Sequence, residues 1–177
     1  VGIVYAGHDM GPIVNDGVIR GDYALYEISF SGADLSVSAA VNITNNGLLD
    51  GNVFLALGND VLLNDGEIMG WVDLGEHADT YDGRLGTITG DLHGGNGNDT
   101  LRTGAGDNTL YGDAGNDILA GGVGADHLDG GAGSDTASYE DSPSAVTINL
   151  QAGTNSGGDG TGDTFVSLEN VTGSAFG

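Results

Sequence analysis

The sequence predicts an all-β fold in which short parallel strands coil into a solenoid, a parallel β-roll or β-helix. Three observations predict it: 35 of the 177 residues are glycine, apolar residues recur regularly, and the middle of the chain repeats every nine residues. Glycine supplies the tight turns that a coil needs, because it adopts positive φ at little cost. A repeat of fixed period is typical of solenoids, in which each unit packs on its neighbours.

Five consecutive nonapeptides carry the repeat over residues 94–138. In chain order they read GGNGNDTLR, TGAGDNTLY, GDAGNDILA, GGVGADHLD and GGAGSDTAS. The fourth position is glycine in every unit. The sixth position holds Asp99, Asn108, Asp117, Asp126 and Asp135, and the eighth holds Leu101, Leu110, Leu119, Leu128 and Ala137.

These units resemble the repeats-in-toxin (RTX, hemolysin-type) consensus GGxGxDxUx, in which U is a large apolar residue. The resemblance implies that the first six residues form a turn, that the last three form a short strand, and that units n and n+2 stack directly. The residues agree with this arrangement. Glycines allow neighbouring turns to approach closely, and a strand of three residues has one inward side chain, which the leucine at position eight supplies.

The aspartates at position six require a counter-charge in such a stack. Strands lie about 4.8 Å apart, and two carboxylates at that spacing repel by about 1–3 kcal/mol. A divalent cation between turns converts this repulsion into attraction. Carboxylates and carbonyls are hard oxygen ligands, which suit Ca²⁺ better than zinc or copper. They also suit Ca²⁺ better than magnesium, because magnesium demands shorter bonds. We therefore expect several calcium ions; the alternative is that the aspartates only cap turns.

The resemblance also implies that backbone carbonyls of the first four turn residues complete each site. The second repeat departs from the consensus, since Thr103 opens it, Asn108 replaces the aspartate and Asp107 stands one position early. The site shared by Asn108 and Asp126 is therefore expected to be weaker. Asp113 replaces a second-position glycine and either adds a ligand or faces solvent.

The predicted metal ligands are of two kinds. The side-chain ligands are Asp99, Asp117, Asp135, Asp126, Asn108, Asp79 and Asp60. The turn residues are Gly94, Gly95, Asn96, Gly97, Gly104, Gly106, Gly112, Ala114, Gly115, Gly121, Gly122, Val123, Gly124, Gly130, Gly131, Ala132 and Gly133.

The pattern extends to the N-terminal side of the repeats. Asp60 and Asp79 precede Asp99 at spacings close to two repeats, so we expect at least one calcium ion before Gly94, with Glu76 near enough to contribute. The tripeptides that begin at residues 15, 45 and 64 (Asn-Asp-Gly, Asn-Asn-Gly and Asn-Asp-Gly) form a second series. Residues 42–93 are thus predicted to form wider coils of one continuous solenoid; the alternative is a separate β-domain beside the roll.

The expected organisation has three parts. Residues 1–93 are β-rich, residues 94–138 form the β-roll, and residues 139–177 contain a strand and a Gly/Asp-rich loop that continue or flank the solenoid. Alternating apolar and polar residues over 22–44 predict strands, either in broad coils or in a hairpin over the solenoid end. Residues 145–150 predict another strand, and the Gly-Asp-Thr-Phe of 162–165 repeats the step that precedes each strand of the roll.

Composition excludes several function classes. The formal charge is −23 with three basic residues, so nucleic acid and anionic membrane surfaces are not expected partners. Cysteine is absent, which excludes disulfides and thiolate metal sites, and no apolar run is long enough to insert into a bilayer. The sequence contains no HExxH, GxSxG or phosphate-binding motif, and the four histidines (His8, His77, His93 and His127) are expected at the surface. The chain is not expected to be an enzyme.

The leading functional hypothesis is a calcium-binding RTX module of a secreted or cell-surface protein. The resemblance implies export by a type I secretion machinery in an unfolded state, followed by folding on calcium outside the cell. One alternative is a fragment of a β-helical lyase or epimerase that acts on polysaccharides. Another is an adhesion or surface-layer assembly module that associates with itself through the solenoid ends.

Overall fold

The computed structural model describes residues 3–6, 12–28 and 40–176, with side chains over 12–21 and 40–176. Within these ranges the chain is all-β apart from a 3-10 turn at Gly158–Gly160, and no helix there could span a bilayer. The strands predicted over 22–44 are seen at 22–28 and 42–44, while residues 29–39 and His8 lie outside the described residues.

Twenty-two strands follow one another along the described chain. They are β1 (Ile3–Ala6), β2 (Ile13–Asn15), β3 (Val18–Ile28), β4 (Asn42–Asn45), β5 (Leu48–Phe54), β6 (Val61–Asn64), β7 (Glu67–Met69), β8 (Val72–Asp73), β9 (Thr80–Asp82), β10 (Thr87–Ile88), β11 (Leu92–His93), β12 (Thr100–Arg102), β13 (Thr109–Tyr111), β14 (Ala114–Gly115), β15 (Ile118–Ala120), β16 (His127–Asp129), β17 (Ala132–Gly133), β18 (Thr136–Ser138), β19 (Thr147–Asn149), β20 (Thr154–Ser156), β21 (Thr164–Val166) and β22 (Asn170–Thr172).

Two parallel sheets form the walls of a solenoid. The first sheet has the order β1-β3-β5-β8-β11-β13-β16-β21, with β7 and β10 paired beside β5. The second sheet has the order β2-β4-β6-β9-β12-β15-β18-β22. The chain passes from one sheet to the other and back in each coil, so the strands of these two sheets pair with the equivalent strands of the next coil. The predicted fold class, an all-β parallel solenoid, is confirmed.

Stacked apolar side chains fill the space between the sheets in the repeat region. Leu101 pairs with Leu119, and Leu119 with Ala137, in the second sheet. In the first sheet Leu110 pairs with Leu128. All five side chains have no exposed surface, whereas the residues on either side of Leu101 and Leu110 in their strands are only half-buried. Each buried leucine contributes about 1.5–3 kcal/mol, so units n and n+2 stack because that register keeps the leucines in one column.

The same sheets run through the coils that precede the repeats. In the second sheet Leu62 pairs with Tyr81, and Tyr81 pairs with Leu101 of the first repeat. In the first sheet Val72 pairs with Leu92. These coils are wider because they have a third wall. It consists of residues 48–50, β7 and β10, and within it Leu49 pairs with Ile68. The hydrophobic core is therefore continuous from these coils into the roll.

Buried asparagines form a ladder at one turn of the wide coils. Asn15 Nδ2 donates to Asn45 Oδ1 at 2.7 Å, and Asn45 Nδ2 donates to Asn64 Oδ1 at 2.7 Å. The ladder ends at Tyr81, whose hydroxyl oxygen accepts from Asn64 Nδ2 at 3.1 Å. An amide both donates and accepts, so this stack satisfies its buried polar groups by itself.

Residues 139–163 leave the coil and return to it. They contain the antiparallel hairpin of β19 and β20, and the predicted strand at 145–150 is its first arm. The chain then re-enters the first sheet, where Phe165 pairs with Leu128, and the second sheet, where Val171 pairs with Ala137. The repeated step at 162–165 thus continues the ladder.

Candidate metal site at one edge of the solenoid

Hexapeptide turns line one edge of the solenoid, where the chain passes from the first sheet to the second. We call this the aspartate edge; its turns are residues 55–60, 74–79, 94–99, 112–117 and 130–135. Each turn ends in an aspartate immediately before a strand of the second sheet. Asp60 and Asp79 therefore share the phase of the repeat aspartates, as the sequence predicted. Turns 103–108 and 121–126 lie on the opposite edge.

One oxygen of each aspartate links successive coils. The N–H of Asp79 donates to Asp99 Oδ1 at 2.7 Å, the N–H of Asp99 to Asp117 Oδ1 at 2.8 Å, and the N–H of Asp117 to Asp135 Oδ1 at 2.8 Å. On the opposite edge the N–H of Asn108 donates to Asp126 Oδ1 at 2.8 Å. The carboxylates are thus held at a fixed orientation within the stack of turns.

The second oxygen of the same carboxylates has no such bond. Among the described residues, Oδ2 of Asp79, Asp99, Asp117, Asp126 and Asp135 is buried without a hydrogen-bond partner. A buried ionised oxygen without a partner is strongly unfavourable. A cation at this position would remove that cost, and a proton would remove part of it.

Burial accordingly raises the pKa of these carboxyl groups. The pKa of Asp79 rises to about 8, that of Asp99 to about 6, and those of Asp117 and Asp126 to about 7. Desolvation is the largest cause in each case. Repulsion from neighbouring coils adds to it, for example from Asp99 and Asp135 on Asp117. The ladder is therefore electrostatically incomplete without positive charge.

Backbone carbonyls lie in the same space beside the first glycine of turns 94–99 and 112–117. A Cβ atom at Gly94 would lie 2.6 Å from Asp99 Oδ2 and 3.0 Å from the carbonyl oxygen of Gly112. At Gly112 it would lie 2.5 Å from Asp117 Oδ2 and 2.6 Å from the carbonyl oxygen of Gly130. No three His, Asp or Glu side chains of the described residues group as a metal site. The donor set is thus one carboxylate with carbonyls, which fits a hard cation such as Ca²⁺.

Positive backbone angles explain the glycines at the second and fourth positions of the repeat turns on the aspartate edge. In the turn 94–99, Gly95 has φ of 96° and Gly97 has φ of 156°. Asp113 stands at a second position and has φ of 66°, which Asp tolerates better than most residues. Its Oδ2 lies 3.0 Å from Nδ1 of His93, so of the two predicted roles the outward-facing one agrees with the structure.

Two acidic residues that were not predicted as ligands extend the ladders. The N–H of Asp135 donates to Glu169 Oε2 at 2.8 Å, and the N–H of Asp126 donates to Asp163 Oδ1 at 3.0 Å. Asp126 therefore has an acidic neighbour after it, although the regular repeats have ended. Asp163 stands directly before β21 and Glu169 directly before β22, as the repeat aspartates stand before their strands, and this position was the available signal. Asp107 is out of phase as predicted: it is exposed, and its Oδ1 accepts from the N–H of Ala125 at 2.9 Å.

In calcium-free solution the fold is expected to lose stability as the pH rises from about 5 to 8. The folded pKa values of about 6 to 8 for Asp79, Asp99, Asp117 and Asp126 exceed the unfolded value of about 3.9, so the folded state binds more protons in this range. The stabilisation that these bound protons give to the folded state is complete below about pH 4, and it disappears as the pH rises through the folded pKa values. Urea unfolding in metal-free buffers at several pH values measures this free energy of unfolding. A free energy of unfolding that rises with pH would contradict the prediction.

Comparison with known proteins identifies the repeats. The family model of the RTX calcium-binding nonapeptide repeat matches residues 93–128 and 103–137, with four copies of the repeat. The matched region contains the turns that end at Asp99, Asp117, Asp126 and Asp135, and the recognition made from the sequence is confirmed. No curated protein and no solved structure matches the chain. Repeats of this family bind calcium as a structural module.

Proposed function

We propose, from the RTX repeats of residues 93–137, that the solenoid is a structural calcium-binding module that folds on binding calcium and has no catalytic activity of its own. The observation that carries the proposal is the row of buried carboxylate oxygens at Asp99, Asp117 and Asp135, which lack a hydrogen-bond partner among the described residues. Calcium would supply the positive charge that these oxygens lack.

The proposed ligands follow from the placement of the turns. The gaps that follow turns 94–99 and 112–117 each present the Oδ2 atom of one aspartate and the first-position carbonyl of the next turn. We propose that these atoms bind calcium, together with carbonyls of the second to fourth positions. The proposed carboxylate ligands are Asp79, Asp99, Asp117 and Asp135 on the aspartate edge and Asp126 on the opposite edge.

Simple energetics support calcium-dependent folding. The chain carries a formal charge of −23, and its stacked carboxylates repel one another by about 1–3 kcal/mol per pair. A ligand that binds only the folded state adds RT ln(1 + [L]/Kd), which is about 1.4 kcal/mol per site at a tenfold excess. Several sites together are comparable with the stability of a domain, about 5–15 kcal/mol. Calcium can therefore decide whether the roll folds.

The first test is far-UV circular dichroism of the chain at neutral pH in chelator, followed by addition of calcium. We expect little β signal from the repeats in chelator and a cooperative gain of β signal with calcium. Magnesium at the same concentration is the control, and it should produce a smaller change because it gives up its water ligands reluctantly. A complete β signal in chelator would contradict the proposal.

We further expect an ion on the N-terminal side of Gly94. Asp79 has a buried Oδ2 without a hydrogen-bond partner in the described part of the chain, and its Oδ1 accepts from the N–H of Asp60 at 2.6 Å. The gap between turns 74–79 and 94–99 therefore carries the same carboxylate as the gaps of the repeats, with the buried Leu74 in place of their first glycine. Anomalous scattering from a calcium-soaked crystal would locate the ions. Ions found only between residues 94 and 138 would mean that this part of the ladder is metal-free packing.

Secretion is part of the same proposal. A chain that folds only with calcium stays unfolded where free calcium is scarce, which would allow a type I machinery to export it before it folds. The family resemblance supports an extracellular or cell-surface location. Fractionation of the native host cells would test it, because accumulation of the folded protein in the cytoplasm is incompatible with this sequence of events.

A further inference from the structure

We infer that one gap of the roll is closed by hydrogen bonds and takes no cation, and that Thr103 and Asn108 together exclude it. The gap lies between turns 103–108 and 121–126, and we call it the Thr103 gap. The inference rests on the proposed function, because it states which of the stacked turns bind calcium. The neutral Asn108 alone predicts a site of reduced affinity, whereas we infer that no ion binds in this gap.

The gaps of the aspartate edge define what an ion requires. Turns 94–99 and 112–117 begin with glycine, and the space beside that glycine is bounded by an aspartate Oδ2 and by the first-position carbonyl of the next turn. This holds at Gly94, with Asp99 and Gly112, and at Gly112, with Asp117 and Gly130. The glycine leaves the space open, and the carboxylate supplies the charge.

Thr103 fills the equivalent space in the Thr103 gap. Its side chain is 3% exposed, and its Oγ1 donates to the carbonyl oxygen of Gly121 at 2.7 Å. Gly121 is the first residue of the next turn, so its carbonyl corresponds to those of Gly112 and Gly130 on the aspartate edge. The carbonyl that would face an ion therefore accepts a hydrogen bond from the Thr103 hydroxyl. The Thr103 side chain occupies the position that corresponds to a Cβ atom on Gly94, which would lie beside Asp99 Oδ2.

Asn108 removes the charge that would otherwise require an ion. Its backbone N–H still donates to Asp126 Oδ1 at 2.8 Å, so the link between the coils is kept. Its Oδ1 is buried without a hydrogen-bond partner among the described residues. A neutral acceptor left in this way costs about 1–3 kcal/mol, far less than a carboxylate. Thr103 thus satisfies the carbonyl and Asn108 removes the anion, so the gap is stable without metal.

Asp126 does not restore the charge in this gap. A Cβ atom at Gly121 would overlap Asp126 Oδ2, so this oxygen faces the first glycine of its own turn, as Asp99 Oδ2 faces Gly94. By that geometry it belongs to the following gap, where the N–H of Asp126 donates to Asp163. The carboxylate nearest in sequence, Asp107, is exposed and bonded to Ala125.

The experiment counts the calcium ions that each folded chain binds. Isothermal titration and native mass spectrometry would be applied to the wild type, to Thr103→Gly, to Asn108→Asp and to the double variant, with circular dichroism in saturating calcium as the check of folding. We expect the double variant to bind one ion more than the wild type and each single variant to bind the same number as the wild type.

The converse change supplies a matched control on the aspartate edge. The double variant Gly112→Thr/Asp117→Asn reproduces the Thr103 gap one turn away, and we expect it to fold in calcium with one ion fewer than the wild type. An unchanged count in the Thr103→Gly/Asn108→Asp variant, or an extra ion in either single variant, would overturn the inference. A wild type that binds no calcium would instead overturn the proposed function.

Discussion

Gly115→Ala is expected to destabilise the calcium-bound fold by about 4 kcal/mol or more, a loss comparable with the whole stability of many domains. Gly115 stands at the fourth position of its repeat, with φ of 150°, and a Cβ atom there would overlap the carbonyl oxygen of Gly97 in the preceding coil. The backbone sets the position of the Cβ atom, and the carbonyl oxygen of Gly97 is itself a backbone atom, so neither can move aside by a side-chain rotation. The two coils would have to separate, which would break the ladder between them.

Gly106→Ala is the matched control, because Gly106 holds the same fourth position in the preceding repeat. Its φ is 114°, and no atom of the described residues lies within 4 Å of a Cβ atom added there. This variant therefore has only the backbone cost of an unfavourable φ, about 1–2 kcal/mol. Urea unfolding of both variants in saturating calcium compares them directly. Equal losses of stability would show that close approach between coils at Gly115 is unimportant.

Asp117→Ala is expected to raise the calcium midpoint of folding about tenfold and to broaden the transition. Asp117 Oδ1 accepts from the N–H of Asp99, and its Oδ2 faces the carbonyl oxygen of Gly130, so it acts on the coils before and after it. A hydrogen bond to a charged group contributes about 1.5–3 kcal/mol, and 1.4 kcal/mol corresponds to a factor of ten. Calcium titrations followed by circular dichroism measure the shift.

Two other aspartates supply the comparison. Asp126→Ala should raise the midpoint less than Asp117→Ala, because the preceding ladder residue is the neutral Asn108. Asp107→Ala should leave the midpoint almost unchanged, since Asp107 is exposed and only accepts from the N–H of Ala125. An Asp107→Ala midpoint shifted as far as that of Asp117→Ala would refute the assignment of ligands by position in the repeat.

The repeat period made the central roll predictable. A unit of nine residues with one leucine and one aspartate at set positions admits a single register, because a shift by one residue would turn Leu101 or Leu110 to solvent. The spacing predicted the parallel solenoid and the common phase of Asp60, Asp79 and Asp99, and the resemblance to the repeats-in-toxin family implied that units n and n+2 stack. The spacing also placed Asp107 outside the ladder. These features depend on local spacing, which the sequence contains.

Features that depend on distant contacts could not be predicted in this way. The ladder continues from Asp126 to Asp163, which is 37 residues later, only because the hairpin of β19 and β20 returns the chain to the first sheet. Glu169 replaces an aspartate there because its longer side chain still reaches the N–H of Asp135.

The sequence by itself determined the coil, its core and the phase of its carboxylates, since spacing and residue size are enough to define them. Only the tertiary structure decided which polar groups acquire partners. The hydroxyl of Thr103 meets the carbonyl of Gly121 18 residues later, whereas Asp117 Oδ2 meets no donor among the described residues. Whether a buried oxygen is satisfied depends on atoms that the fold brings close, and these atoms are far apart in the chain.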